Sequence, residues 1–469
     1  MTPEEFRRFG HLVVDWIADY RATIEERPVM ARSRPGEIRA ALPIAPPAAP
    51  ETFDSVMRDL DAIIMPGISH WQHPSFFGYF PANSSYASVL GDFLSTGLGV
   101  IGLSWQSSPA LSELEEVTTD WMRQMVGLSP AWSGVIQDTA STSTLVALLC
   151  ARERTTSYGL ARRGLQAEGH ALVVYTSAQS HSSVEKAALL AGFGRENVRV
   201  VAHDERYAMR ADALAAAIMD DIAAGRQPCA VVATTGTTAT TALDPVAAIA
   251  SVATHHDVWL HVDAAMAGSA MILPECRWMW EGVEAADSVV LNAHKWLGVT
   301  FDCSLYFVRD AEHLVRVMST NPSYLRSGVD DQVKNLRDWG LPLGRRFRAL
   351  KLWLHVREQG VEQLQARLRR DLENAQWFAE QVRASDEWRV VAPVVLQTVC
   401  VCHEPYGLAG DALDRHTLDW VARINQSGQA YLTPAVLDGR WMVRVSIGAE
   451  HTQREHVERL WTLMQAEVS

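Results

Sequence analysis

Between Ser133 and Val308 the chain alternates short runs that are apolar at every position with stretches of helical spacing, and no other feature restricts the fold so tightly. The runs are ALVVY (Ala171–Tyr175), VRVVA (Val198–Ala202), CAVVAT (Cys229–Thr234), VWLHV (Val258–Val262), DSVVL (Asp287–Leu291) and SLYFV (Ser304–Val308). A strand with one face in water alternates apolar and polar residues, whereas a continuous apolar run suits a strand covered on both faces. Strand–helix alternation of this kind specifies an α/β domain with a largely parallel sheet. Between two of the runs, Asp244-Pro245 reads as the cap of a helix through Val246, Ile249, Ala250 and Val252.

The flanks read differently. Thr2-Pro3-Glu4-Glu5 is a helix start, and Phe6, Phe9, Val13, Trp16, Ile17, Tyr20 and Ile24 then recur at helical spacing. That aromatic stripe needs a surface to cover, in its own domain or in a second subunit. ALPIAPPAAP (Ala41–Pro50) is too rich in proline for helix or central strand and serves as an extended connector. A long helical region runs from Arg346 to about Val382, followed by an α+β tail ending in the strand WMVRVSIG (Trp441–Gly448). Three parts are expected: an N-terminal helical arm (1–84), a large α/β domain (85–350) and a small C-terminal α+β domain (351–469).

At 469 residues with 48% hydrophobic and 21% charged side chains, the composition is that of a multi-lobed globular chain. A net charge of -13 argues against nucleic acid or an anionic membrane as partner. MTPEEFRRFG does not read as a signal peptide, and no apolar stretch is long enough to span a bilayer. The six cysteines are scattered without CxxC pairing, so reduced buried thiols and a cytoplasmic location are expected. The 16 histidines form no HExxH or His/Cys cluster, and no metal site is expected.

Ligands of open α/β sheets bind at the carboxyl ends of strands. The residues leaving the runs are Thr234-Thr235-Gly236-Thr237-Thr238, then Asp263, then Asn292-Ala293-His294-Lys295, spaced by about one βαβ unit. A lysine in a low-polarity site loses its proton readily, and a neutral amine forms a Schiff base with a carbonyl. That chemistry belongs either to a metal-free aldolase or to a pyridoxal phosphate enzyme. The second also needs a carboxylate on the pyridine nitrogen, and Asp263 suits it, followed by small Ala264 and Ala265 that let a flat ring approach. It needs a phosphate cradle, which Thr139, Ala140 and Ser141 offer before an apolar helix. It needs a flat group above the ring, and His181 lies beyond another strand exit. One at a time these residues have ordinary explanations such as helix capping; together they fit one cofactor at one sheet edge.

These residues also carry a resemblance. The chain resembles the group II pyridoxal-phosphate decarboxylases, specifically the aromatic-L-amino-acid decarboxylases. The likeness runs through EFRRFGHLVVDWIADY, HWQHPSFFGYFP, SSPALSELEE, HSSVEKAALLAG, TTGTT, WLHVDAAMAGSA, NAHKW, FDCS, NPSYLRS and DWGLPLGRRFRALKLW. It implies a fold type I (aspartate-aminotransferase-like) homodimer with shared active sites. By motif, Lys295 would carry the cofactor aldimine, Asp263 would pair with the pyridine nitrogen, and His181 would stack on the ring. Thr139, Ala140, Ser141, Asn292 and His294 would hold the phosphate. Thr234 and His261 would support Asp263 and the ring, with Ala265 and Gly344 also beside the cofactor. Trp71, Phe80 and Pro81 would border the substrate, with Ile101 and Leu103 reaching in from the partner subunit. Tyr324, in a mobile loop of the family, would protonate the carbanion after carbon dioxide leaves.

The resemblance implies decarboxylation of aromatic L-amino acids to amines, with L-dopa foremost. Tryptophan, 5-hydroxytryptophan, phenylalanine and tyrosine remain open, because Gly344 goes with indolic substrates in plant relatives and Leu103 replaces a Phe. The rival function is an aromatic aldehyde synthase on the same scaffold. Its loop often carries Phe for the Tyr or lacks the stacking His, and both Tyr324 and His181 are present here.

Overall fold

A computed structural model describes residues 1–165, 169–320 and 328–468, with the side chain of residue 331 also left aside. The chain forms two compact units: Met1–Pro81 with Glu373–Val391 and Val399–Ser469, and Ala82–Leu372 with Ala392–Thr398.

The second unit is built on a seven-stranded sheet. Its strands are β1 (Ser133–Gln137), β2 (Leu172–Ser177), β3 (Val198–Val201), β4 (Gln227–Thr234), β5 (Trp259–Asp263), β6 (Ser288–Asn292) and β7 (Ser304–Val308), in the order β1-β7-β6-β5-β4-β2-β3. β7 is antiparallel to both neighbours, and the other pairings are parallel. Every residue of β2, β5, β6 and β7 is buried, which is why their sequences show no polar alternation. β3, at the sheet edge, keeps three of its four residues partly in solvent. The strand absent from the sequence reading is β1. SGVIQ is only five residues and opens on Ser-Gly, so it lacks the apolar run that marks the others.

Helices Ala140–Thr155, Ser183–Leu190, Ala211–Ala223 and Val246–His255 connect the strands. The proposed cap of the last one is corrected by the structure. Asp244 does not cap it; its buried carboxylate accepts the Met209 N–H (2.7 Å) and the Thr234 N–H (2.7 Å). Asp244 thereby ties the end of β4 to the chain before helix Ala211–Ala223, a use of short-range polarity that sequence alone cannot tell from capping.

In the first unit, helix Pro3–Ala22 opens with the expected capping box between Thr2 and Glu5. None of its residues is buried. A four-stranded sheet of β8 (Trp388–Val390), β9 (Thr398–His403), β10 (Thr433–Leu437) and β11 (Arg440–Ser446) has the order β10-β11-β9-β8. The long helical stretch Arg348–Arg383 is interrupted at Gly360 (φ 64°, ψ 162°).

Candidate active site

Because β1, β2, β4, β5 and β6 run one way, Gln137, Ser177, Thr234, Asp263 and Asn292 all end at the same sheet edge. β7 starts there, with Ser304 in register with both Gln137 and Asn292. The strand exits singled out from sequence are therefore neighbours, as expected for a ligand-binding edge.

Lys295 follows β6 in the short turn Ala293–Leu297, with its own backbone outside the helical region (φ -97°, ψ -114°). Asn83 Nδ2 donates to the Lys295 carbonyl (3.2 Å), and Arg367 donates to the carbonyl of Leu297 (2.8 Å). Lys295 is half-buried, whereas Trp296 beside it is almost fully buried and donates its indole N–H to Asp371 (2.9 Å). Trp296 is therefore a foundation of the turn. Burial pushes the Asp371 carboxyl up to about 6, against the pull of Arg367 and Arg370.

His294 is buried, and its Nδ1 accepts the Cys303 N–H (2.8 Å) from the start of β7. Burial first, then the Lys295 charge, pushes it down to about 4, so the ring is neutral at physiological pH. With Nδ1 accepting, the proton of the neutral ring sits on Nε2, which is available to donate. Asn292 Oδ1 is buried without a partner among the described residues, a group left unspent at the strand exit. Beyond β1, Thr139 precedes helix Ala140–Thr155 but makes no side-chain cap, and Asp138 Oδ1 takes the Thr139 N–H (2.6 Å). Ala140 and Ser141 form the helix's first turn, where N–H groups and the helix dipole favour an anion. Asp138, without a role in the sequence reading, shapes this loop. An uncapped helix start and the His294 imidazole N–H fit a phosphate.

Asp263 is nearly fully buried at the end of β5, and its Oδ1 accepts the Ala265 N–H (3.0 Å). Thr234 lies beside it in register on β4, with its hydroxyl 3.4 Å from Ser180 Oγ. His261 shares Asp263's strand face and is fully buried, with Nδ1 at 2.9 Å from Ser288 Oγ. Burial pushes His261 down to about 4, and Asp263 opposes that shift. His181 follows β2, and its Nδ1 accepts the Ser183 N–H (3.1 Å). Desolvation first, then the Lys295 charge, lowers its pKa while Asp263 opposes the shift, so His181 lies within electrostatic reach of both. Gly236 in the TTGTT turn has φ +85°, and a Cβ there would come within 2.7 Å of Ala267 Cβ.

The expected substrate residues fall in two places. In the second unit Gly344 adjoins Ile101 and Leu103 of its own chain: a Cβ on residue 344 would lie 3.4 Å from Ile101 Cγ2 and 3.9 Å from Leu103 Cδ2. In the first unit Trp71 stacks on Phe76 (4.6 Å) and Tyr79 (5.5 Å), and Arg444 lies over Phe80, next to Pro81. Tyr324 lies outside the described residues. Sequence reasoning missed Asn83, the Asp302–Arg348 pair (2.9 Å) below His294, and the buried Arg345–Glu115 pair (2.8 Å). The last two join residues far apart in sequence, so no local pattern marks them.

Comparison with known proteins agrees with this geometry. The family model for the pyridoxal-dependent decarboxylase conserved domain matches residues 35–403. Phenylacetaldehyde synthase of Arabidopsis thaliana is 40% identical over 100% of this chain and 97% of its own length. Aromatic-L-amino-acid decarboxylase of Rattus norvegicus is 40% identical over 98% of this chain and 97% of its own. A crystal structure of Oryza sativa TDC with PLP and tryptamine superposes with a TM-score of 0.96 at 36% identity, covering 100% of this chain and 98% of the other. Fold and family together define a pyridoxal phosphate enzyme. The chain belongs to the pyridoxal-dependent decarboxylase family, and its cofactor is pyridoxal phosphate.

Proposed function

We propose that this decarboxylase acts on aromatic L-amino acids and releases the amine. The observation that carries the reading is the convergence of Lys295, Asp263 and His181 at one sheet edge, beside a built anion cradle. Lys295 would hold the cofactor's aldehyde carbon, Asp263 its pyridine nitrogen and His181 one ring face. Asn292, His294 and the first turn at Thr139, Ala140 and Ser141 would hold its phosphate. Bound pyridoxal phosphate supplies an electron-accepting ring. Asp263 keeps a proton on the pyridine nitrogen; His261 and Thr234 hold that carboxylate's strand end in place. Tyr324 would supply the proton to the substrate's α-carbon. Aromatic substrates are supported by relatives named for tryptophan and tyrosine decarboxylation. Among them L-dopa, tryptophan, 5-hydroxytryptophan, phenylalanine and tyrosine are candidates, and Gly344 leaves room for an indole.

The second reading, an aldehyde-forming enzyme, is favoured by the 40% identity to phenylacetaldehyde synthase. Tyr324 and His181 favour the amine. One experiment separates them: carbon dioxide, amine, aldehyde and peroxide measured across the five amino acids. Amine equal to carbon dioxide supports the proposal; aldehyde and peroxide in its place overturn it.

We also place the chain in the cytosol as a homodimer. All six cysteines are buried and unpaired, and no described helix is long and apolar enough to cross a membrane. Tyr86, Leu90, Phe93, Leu94 and Leu98 stand exposed on one helix, and no residue of helix Pro3–Ala22 is fully buried. A second copy covers such surfaces. A monomer by light scattering at assay concentration would overturn the dimer.

A further inference from the structure

Within the first unit, the segment from Trp71 to Pro81 is organised by one distant residue, Tyr431. The two form an isolated bridge in which the Tyr431 N–H donates to Ser75 O (3.2 Å) and the Phe77 N–H to Tyr431 O (2.9 Å). The Tyr431 ring fills the space where residue 78 would carry a Cβ, only 2.3 Å from Cδ1, so only glycine fits there. Tyr79, next along, has φ +49°, a left-handed conformation that costs a non-glycine residue. Two bonds hold it: its N–H donates to Thr433 Oγ1 (2.8 Å), and its hydroxyl accepts from the Tyr431 hydroxyl (3.0 Å). Burial and that bond both raise the Tyr431 pKa, so the phenol stays protonated and donates. The rings close a circuit in which Tyr79 stacks on Trp71 (5.5 Å, 12°), Trp71 on Phe76 (4.6 Å), and Phe76 meets Tyr431 (5.3 Å). Trp71 and Tyr79 nonetheless keep 37% and 46% of their surface open, so this bracing supports rings that remain free to meet a ligand.

We propose that Tyr431 is a positioning residue for the substrate, its hydroxyl bond to Tyr79 holding the Tyr79–Trp71 stack as a wall for an aromatic side chain. This rests on the reading that the Trp71–Pro81 segment borders the substrate. Removing the hydroxyl alone leaves the ring contacts and the backbone bridge, so the fold survives and only the set of Tyr79 loosens. A wall that binds the aromatic ring equally before and during reaction acts on KM and leaves kcat alone.

The test uses the holoenzyme and three variants, Tyr431→Phe, Tyr79→Phe and both together, with phenylalanine and tryptophan as substrates. Each single change should raise KM by about 2- to 12-fold, the value of one neutral hydrogen bond. kcat and the melting temperature should hold, and the double variant should be no worse than either single, because both remove the same bond. Additive effects, an unchanged KM, or a fall in kcat at constant KM would overturn the role. Trp71→Ala separates this from the wall itself. If Trp71→Ala raises KM and Tyr431→Phe does not, the positioning role fails alone. If neither moves KM, the wall reading fails and takes the proposal with it.

Discussion

Gly344→Ser tests most directly whether residue 344 borders the substrate ring, as proposed. Residue 344 does not have a left-handed backbone, and an added Cβ would sit 3.4 Å from Ile101 Cγ2 and 3.9 Å from Leu103 Cδ2. These are ordinary contact distances, so the variant should fold and bind cofactor normally. The new side chain instead takes up space of about one methylene plus a hydroxyl. An aromatic side chain that fills this space loses about 1–3 kcal/mol, a ~10–200-fold fall in kcat/KM, when one methylene's worth of room disappears. The indole of tryptophan, one fused ring larger than phenyl, should bear that loss, whereas phenylalanine and tyrosine should change by no more than about 3-fold. The assay is kcat/KM for tryptophan and tyrosine, wild type against Gly344→Ser, by carbon dioxide release. An unchanged tryptophan-to-tyrosine ratio, with cofactor absorbance intact, would refute the reasoning, because Gly344, Ile101 and Leu103 would then not border the substrate ring.

Loss of the Nε2 donor in His294→Phe should weaken cofactor binding by about 10- to 150-fold, the value of ~1.5–3 kcal/mol for a hydrogen bond to a charged group; a cofactor titration with unchanged Kd would remove His294 from the phosphate site. Tyr324→Phe should divert product from amine towards aldehyde, and an unaltered amine yield would remove its proton-donor role. Buried His261, His294 and His355 are each pushed down from 6.5 to about 4, so the unfolded chain binds more protons between those values. Their contribution to stability is present above pH 6.5 and lost as pH falls towards 4, roughly 2 kcal/mol each by pH 5. Asp244 and Asp371, raised to about 6, work in the opposite direction at roughly 1 kcal/mol each by pH 5, so the histidines prevail. The melting temperature should therefore drop from pH 6.5 to 5, less steeply in His355→Gln, and a flat profile would contradict the burial argument.

Much of the candidate site was legible in the chain because cofactor chemistry needs particular residue types at strand exits. Asp263, His294 and Lys295 each follow an apolar run, and the spacing of one βαβ unit already implied adjacent strands. Asp244 shows where that legibility ends. A short acidic side chain before proline satisfies the rules of helix capping and of loop bracing equally, and only the positions of the Thr234 and Met209 N–H groups decide between them. β1 escaped notice because an edge of five residues beginning Ser-Gly carries too little hydrophobic pattern, although it leads into the proposed phosphate site.

The sequence by itself determined the α/β class, the apolar strands, and the position of the proposed lysine and carboxylate at the strand exits. These follow from local hydrophobic pattern and from residue chemistry, both written along the chain. Tertiary structure alone decided that β7 runs backwards and brings the Cys303 N–H to His294, setting the imidazole tautomer. It also decided that Trp296 is anchored on Asp371, and that Tyr431 braces Tyr79 across 352 positions of sequence. Those contacts join residues whose separation carries no periodicity, so only the folded backbone brings their polar groups within hydrogen-bonding distance.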